Sequence, residues 1–174
     1  DLMAITATYF HLLTDDSGEY SIEIDPREAT VEIVAGLREL GFNRMSLGVQ
    51  DFDPKVQKAV NRLQSEEETF TVLEAARQTG FKSISIDLIY GLPHQTVESF
   101  AKTLEKIIQV SPDRLSVFNY AHLPTLFKPQ RRINEIDLPS PTEKLAILQQ
   151  TIQQLAEAGY VYIGMDHFAR PTDE

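Results

Sequence analysis

Apolar residues recur along this chain in two alternating rhythms. Every second position is apolar in Ile22 and Ile24, in Met45, Leu47 and Val49, and in Ile84, Ile86 and Leu88, the period of a strand whose two faces differ. Steps of three and four residues separate Phe70, Leu73 and Ala76, and again Leu145, Leu148, Ile152 and Leu155, the period of a helix with one buried stripe. These rhythms predict strands over Tyr20 to Asp25, Arg44 to Gln50, Ser83 to Gly91, Arg114 to Tyr120 and Tyr160 to Met165, with helices between them. Punctuation agrees. Gly41-Phe42, Gly80-Phe81 and Gly159-Tyr160 place a glycine where a helix end needs a left-handed cap. Ser65 with Glu68 and Ser140 with Glu143 fit capping boxes, Pro141 suits a first helical turn, and Asp53-Pro54 and Asp25-Pro26 are further candidate starts. Alternating strands and helices of this length imply an α/β fold with a parallel sheet, built as part of a (β/α) barrel or as an open doubly wound sheet. A single domain over residues 1–174 is expected for this length.

The opposite strand face is the more informative one. It reads Ser21, Glu23, Asp25; Ser46, Gly48, Gln50; and Ser83, Ser85, Asp87, small where each strand begins and hydrogen-bonding where it ends. A parallel sheet buried on both sides reads apolar throughout. Three strands that break that rule in the same way predict a roomy polar cavity, with Glu23, Gln50 and Asp87 at the strand ends where barrel enzymes place their sites. The competing reading is an open sheet whose polar ends serve as turns and caps.

Composition narrows the chemistry. The chain has 26 acidic and 16 basic residues for a net charge of -10, so a nucleic-acid backbone would be repelled. No apolar run reaches roughly 18 residues and no secretory leader is present, so neither a membrane partner nor export is expected, and the predicted location is cytoplasmic. Zero cysteine removes disulfides, thiolate nucleophiles and sulfur ligation of metals from these residues. His11, His94, His122 and His167 show no metal-ligand spacing. The opening at Asp1 and the stop after the loop-like Arg170 to Glu174 lead to the expectation of an internal piece of a longer chain.

Three motifs stand at strand ends: Ser46-Leu47-Gly48-Val49-Gln50-Asp51-Phe52, Ile86-Asp87-Leu88-Ile89-Tyr90-Gly91-Leu92-Pro93-His94-Gln95-Thr96 and Ser116-Val117-Phe118-Asn119-Tyr120-Ala121-His122-Leu123-Pro124. With the ending Met165-Asp166-His167-Phe168-Ala169-Arg170-Pro171, they make the chain from Ser21 onward resemble the oxygen-independent coproporphyrinogen III oxidases of the radical S-adenosylmethionine superfamily. The resemblance implies an opened (β/α) barrel that uses a 4Fe-4S cluster and S-adenosylmethionine. The implied reaction oxidatively decarboxylates two propionates of coproporphyrinogen III to vinyl groups, giving protoporphyrinogen IX. An electron donor and a monomeric parent are implied as well. The cluster's CxxxCxxC ligands lie upstream of this segment in the family, and the piece alone is expected to be inactive.

Carried over by position, the family's S-adenosylmethionine contacts fall on Glu23, Gln50, Arg62, Asp87 and Ala121. Carboxylates and amides suit an ammonium and a ribose diol, and a guanidinium fork suits a carboxylate. Arg62 otherwise reads as an exposed arginine on the turn Asn61 to Ser65. The long irregular stretch from Ala121 to Ser140 carries Lys128, Arg131 and Arg132, which either meet the carboxylates of the substrate or form a solvated basic loop. The alternative function is a haem-binding chaperone of the same superfamily; a barrel enzyme of unrelated chemistry would share only the fold.

Overall fold

The computed structural model describes residues 2–173. An N-terminal helix α1 (Leu2–Tyr9) precedes β1 (Ser21–Ile24), α2 (Val31–Glu39), β2 (Arg44–Gln50), α3 (Pro54–Ala59), α4 (Glu66–Thr79), β3 (Ser83–Tyr90), α5 (Val97–Val110), β4 (Arg114–Asn119), α6 (Pro141–Glu157), β5 (Val161–Gly164) and β6 (His167–Ala169). The expected capping boxes form at Ser65 and Ser140, and a third forms at Thr96 with Ser99. Each satisfies amide groups that the first helical turn leaves without partners. Gly80 caps α4 at φ 84°. Ser111 does the same for α5 at φ 50°, so the α5–β4 junction keeps the left-handed cap without a glycine.

One six-stranded sheet runs β1-β2-β3-β4-β6-β5. Its first four strands are parallel. The fold is therefore α/β as expected, with one difference at the C-terminal end. The segment read as a last parallel strand is half of an antiparallel hairpin, and β6 rather than β5 lies against β4. Met165 and Asp166 turn it at φ 48° and 67°, the paired left-handed residues of a two-residue hairpin turn.

The core lies on one face. Leu47, Ile84, Ile86, Leu88, Leu115, Val117 and Phe168 from the strands meet Val34, Leu73, Ala76, Phe100, Leu104, Ile107, Ile147 and Leu155 from the helices. On α6 the buried stripe is Ile147, Thr151 and Leu155, whereas Leu145 and Ile152 stand exposed. Thr151 is accommodated because its hydroxyl bonds back to the Ile147 carbonyl at 2.8 Å. Asp25-Pro26 does not start a helix. Asp25 binds Arg27 instead, and α2 begins at the Thr30 cap, whose side chain accepts from the Ile33 amide. No helix among the described residues is long and apolar enough to cross a membrane.

Candidate functional site

The face away from the helices carries a polar ladder. Parallel register places Glu23 beside Ser46, and one level on it places Gly48 beside Asp87 and Asp87 beside Ser116. Ser46 Oγ donates to Asp87 Oδ2 at 2.7 Å, and Ser116 Oγ lies 3.1 Å from His167 Nδ1. Glu23 and Asp87 thus share the face that alternation predicted. Phe118 continues it, half exposed, with its ring edge-on to His167 at 5.7 Å.

Gln50 reaches the same face by a different route. A bulge shifts the register after Gly48, so that Gln50 pairs with Leu88, a core residue, and simple alternation is broken there. Gln50 takes φ 70°, and a three-residue turn is closed by the Asp51 amide on the Val49 carbonyl at 2.9 Å. Its amide end comes back over Gly48: a β-carbon there would sit 3.1 Å from Gln50 Nε2 and 3.2 Å from Arg62 Nη2. A side chain at position 48 would crowd both groups.

Arg62 is not a solvated surface arginine. Its side chain is 23% exposed, Nη2 donates to the Gly48 carbonyl at 2.6 Å, and Nη1 is 3.3 Å from Asp25 Oδ2. Its Nε is buried with no hydrogen-bond partner among the described residues. Burial pushes the guanidinium down from its usual value, with Asp25 opposing and Glu23 contributing in the same sense as Asp25. Asp25 is held at about 2, chiefly by the Arg27 hydrogen bond, with Arg62 adding to it.

These groups open onto a cavity of about 720 Å³ at the carboxyl ends of β2, β3 and β4, within the usual size of small-molecule sites. Gln50, Arg62, Ile89, Leu92 and Tyr120 line one side, and Lys128, Arg132 and Ile133 the other. The last three belong to the stretch expected to be irregular, which contains two short 3-10 turns, Lys128–Arg132 and Glu135–Asp137. Arg131 turns away, its Nε donating to the Pro124 carbonyl at 3.0 Å. Ala121 is exposed and outside the lining, its carbonyl accepting from Gln130 Nε2 at 3.0 Å. Of the eight expected residues, Gln50, Arg62, Lys128 and Arg132 face this cavity; Glu23 and Asp87 stand on the adjoining sheet face, and Arg131 and Ala121 do neither. Among the described residues no cluster of His, Asp and Glu suits a metal ion.

A buried polar network that had no assigned role lies behind this site. Asp51, 1% exposed, accepts from Thr103 Oγ1 at 2.6 Å, Gln95 Nε2 at 2.5 Å and the Asp53 amide at 2.9 Å. Burial raises its pKa against the pull of these hydrogen bonds. Buried Gln57 and Gln64 continue the network beneath the turn that carries Arg62. Sequence offered one signal, an acid directly after a strand end; its side-chain partners Gln95 and Thr103 lie too far along the chain for spacing to reveal them.

The Radical SAM superfamily profile matches residues 3–107, more than half of the chain. An oxygen-independent coproporphyrinogen III oxidase of Pseudomonas aeruginosa is 65% identical over 174 residues, which is 100% of this chain and 38% of that protein. One of Escherichia coli is 57% identical over 173 residues, 99% of this chain and 37% of that protein. The solved Escherichia coli coproporphyrinogen III oxidase, described as a radical SAM enzyme, superposes with a TM-score of 0.95 at 57% identity, covering 99% of this chain and 39% of that one. The chain thus spans well under half the length of these relatives.

Proposed function

The chain belongs to the radical S-adenosylmethionine superfamily, and on that premise we propose that its protein is an oxygen-independent coproporphyrinogen III oxidase. The reaction would convert two propionate side chains of coproporphyrinogen III to vinyl groups with loss of carbon dioxide, giving protoporphyrinogen IX for haem synthesis. Identity of 65% across all 174 residues to an oxidase of that name is the observation that carries this reading. The relatives cited above are oxidases, and no feature of the site favours the haem-carrier alternative.

The residues present fit S-adenosylmethionine. Its carboxylate calls for a guanidinium, and Arg62 offers one that is partly desolvated and has a buried Nε without a partner. Its ammonium and ribose hydroxyls call for acceptors, which Glu23, Gln50 and Asp87 supply along the strand ends. When bound, this group would supply the radical chemistry that oxidation of a propionate side chain needs. The chain's own share is to bind, orient and exclude. Gly48 leaves room for Gln50 and Arg62, Ser46 fixes the Asp87 carboxylate, and Ile89 and Leu92 present an apolar wall that strengthens the polar contacts by keeping water out. Lys128 and Arg132, across the cavity, would attract the carboxylates of a tetracarboxylate substrate in a chain that is otherwise strongly acidic. With no cysteine, these residues do not fit a 4Fe-4S cluster. The cluster would be held by other residues of the protein.

Anaerobic turnover of coproporphyrinogen III by the complete, reduced protein with S-adenosylmethionine tests the reading. Protoporphyrinogen IX and two equivalents of carbon dioxide are expected. Haem binding without any decarboxylation would overturn it in favour of a carrier.

A further inference from the structure

Gln50 sits in a backbone conformation that its side chain does nothing to favour. At φ 70° it is in the left-handed region, which costs free energy for a residue other than glycine and persists only where the surroundings enforce it. Enforcement comes from the next residue. The Asp51 carboxylate, buried behind the site, takes hydrogen bonds from three directions: from Thr103 on α5, from Gln95 in the loop after β3, and from the Asp53 amide that opens α3. Those partners hold the walls of the cavity. Gln95 also donates to the Ile89 carbonyl at 2.9 Å and accepts from the Leu92 amide at 2.9 Å, and both residues line the cavity. The Asp51 carbonyl accepts from Gln57 Nε2 at 2.9 Å, and the Gln57 carbonyl in turn accepts from the Arg62 amide at 2.9 Å. Asp51 itself is not among the lining residues.

We propose that Asp51 is a positioning residue for S-adenosylmethionine binding. It locks the left-handed turn at Gln50 and ties that turn to the Ile89–Leu92 wall and to the Arg62 amide, so that groups from three segments face one cavity. The inference rests on the reading of that cavity as the S-adenosylmethionine site. An ionised carboxylate in so buried a place costs stability compared with a well-packed apolar group. Its stability cost is offset if what it gains is geometry, since a site held by acceptor-only oxygens admits one arrangement of its three donors.

The test compares Asp51→Asn with the parent in the complete, cluster-loaded protein, measuring S-adenosylmethionine affinity by anaerobic equilibrium dialysis alongside thermal melting. Asparagine keeps the shape but turns a donor toward Gln95 Nε2, also a donor, so the turn loses its lock. Affinity should fall roughly tenfold or more, as follows when one member of a buried network is left mispaired. Leu155→Ala, which opens a cavity in the core at a residue that makes none of these hydrogen bonds, controls for stability alone; its melting point should drop while its affinity stays at the parental value. If Asp51→Asn binds as tightly as the parent, or if Leu155→Ala loses affinity equally, the positioning role is refuted. A parent that binds no S-adenosylmethionine at all would instead overturn the reading of the cavity, and this inference with it.

Discussion

Replacing Arg62 by alanine separates a binding role from a structural one, because each of its contacts has its own magnitude. The Nη2 bond to the Gly48 carbonyl, 2.6 Å long, disappears; a partly buried carbonyl left unpaired costs about 1–3 kcal/mol. The Asp25 pair at 3.3 Å adds little, under about 1 kcal/mol, because that carboxylate keeps Arg27 at 2.6 Å. Melting should therefore move by a few degrees, with the fold retained. Binding should suffer more in proportion: losing a charge-assisted fork to the ligand carboxylate, worth roughly 2 kcal/mol, weakens affinity about 30-fold. Arg62→Lys should also be impaired. One ammonium lacks the fork needed to satisfy the Gly48 carbonyl and two carboxylate oxygens together. Anaerobic equilibrium dialysis on the complete, cluster-loaded protein reads the affinities, and calorimetric melting reads the stability. Parental affinity in Arg62→Ala, with the melting point lowered as expected, would show that Arg62 only braces the turn to β2.

Lys128→Ala and Arg132→Ala should each raise the KM for coproporphyrinogen roughly two- to fivefold, an effect that shrinks at high salt. Arg131→Ala, whose guanidinium faces Pro124, should leave KM unchanged; steady-state kinetics at two ionic strengths distinguish the three. Asp25, at about 2 when folded against an ordinary 3.8, contributes stability that is fully present above 3.8 and is lost as pH falls through about 2. After allowance for solvent screening that contribution is about 1 kcal/mol, so urea midpoints measured between about pH 5 and pH 2 should fall less in Asp25→Asn than in the parent. Reconstituting these 174 residues alone with iron and sulfide should leave the absorbance near about 400 nm featureless, since no thiolate is available. A stoichiometric cluster in that sample would contradict this.

The parts of the fold governed by local rules were legible in the chain. Alternation in β1 to β3 gives the correct face for Glu23 and Asp87, because side chains in a regular strand must alternate. Ser65-Glu68 and Ser140-Glu143 form as capping boxes because both partners lie within one helical turn. What escaped the sequence depends on partners far apart. Gln50 reaches the expected face only through a bulge and a left-handed turn, which alternation does not encode. The Asp51 contacts to Gln95 and Thr103 span 44 and 52 residues, so no spacing rule relates them. The β5–β6 hairpin turns on Met165-Asp166 without the glycine that normally marks such a turn. Arg131 and Arg132 are adjacent in sequence yet diverge, because a 3-10 turn separates neighbouring side chains by about a third of a circle.

A structure of the complete protein with S-adenosylmethionine bound would test the central claim most directly. The ligand carboxylate should lie within hydrogen-bond distance of the Arg62 guanidinium, with its remaining polar groups on Gln50 and on the face carrying Glu23 and Asp87. Ligand density elsewhere, with Arg62 still engaged only by Gly48 and Asp25, would contradict the assignment of this strand-end cavity as the binding site.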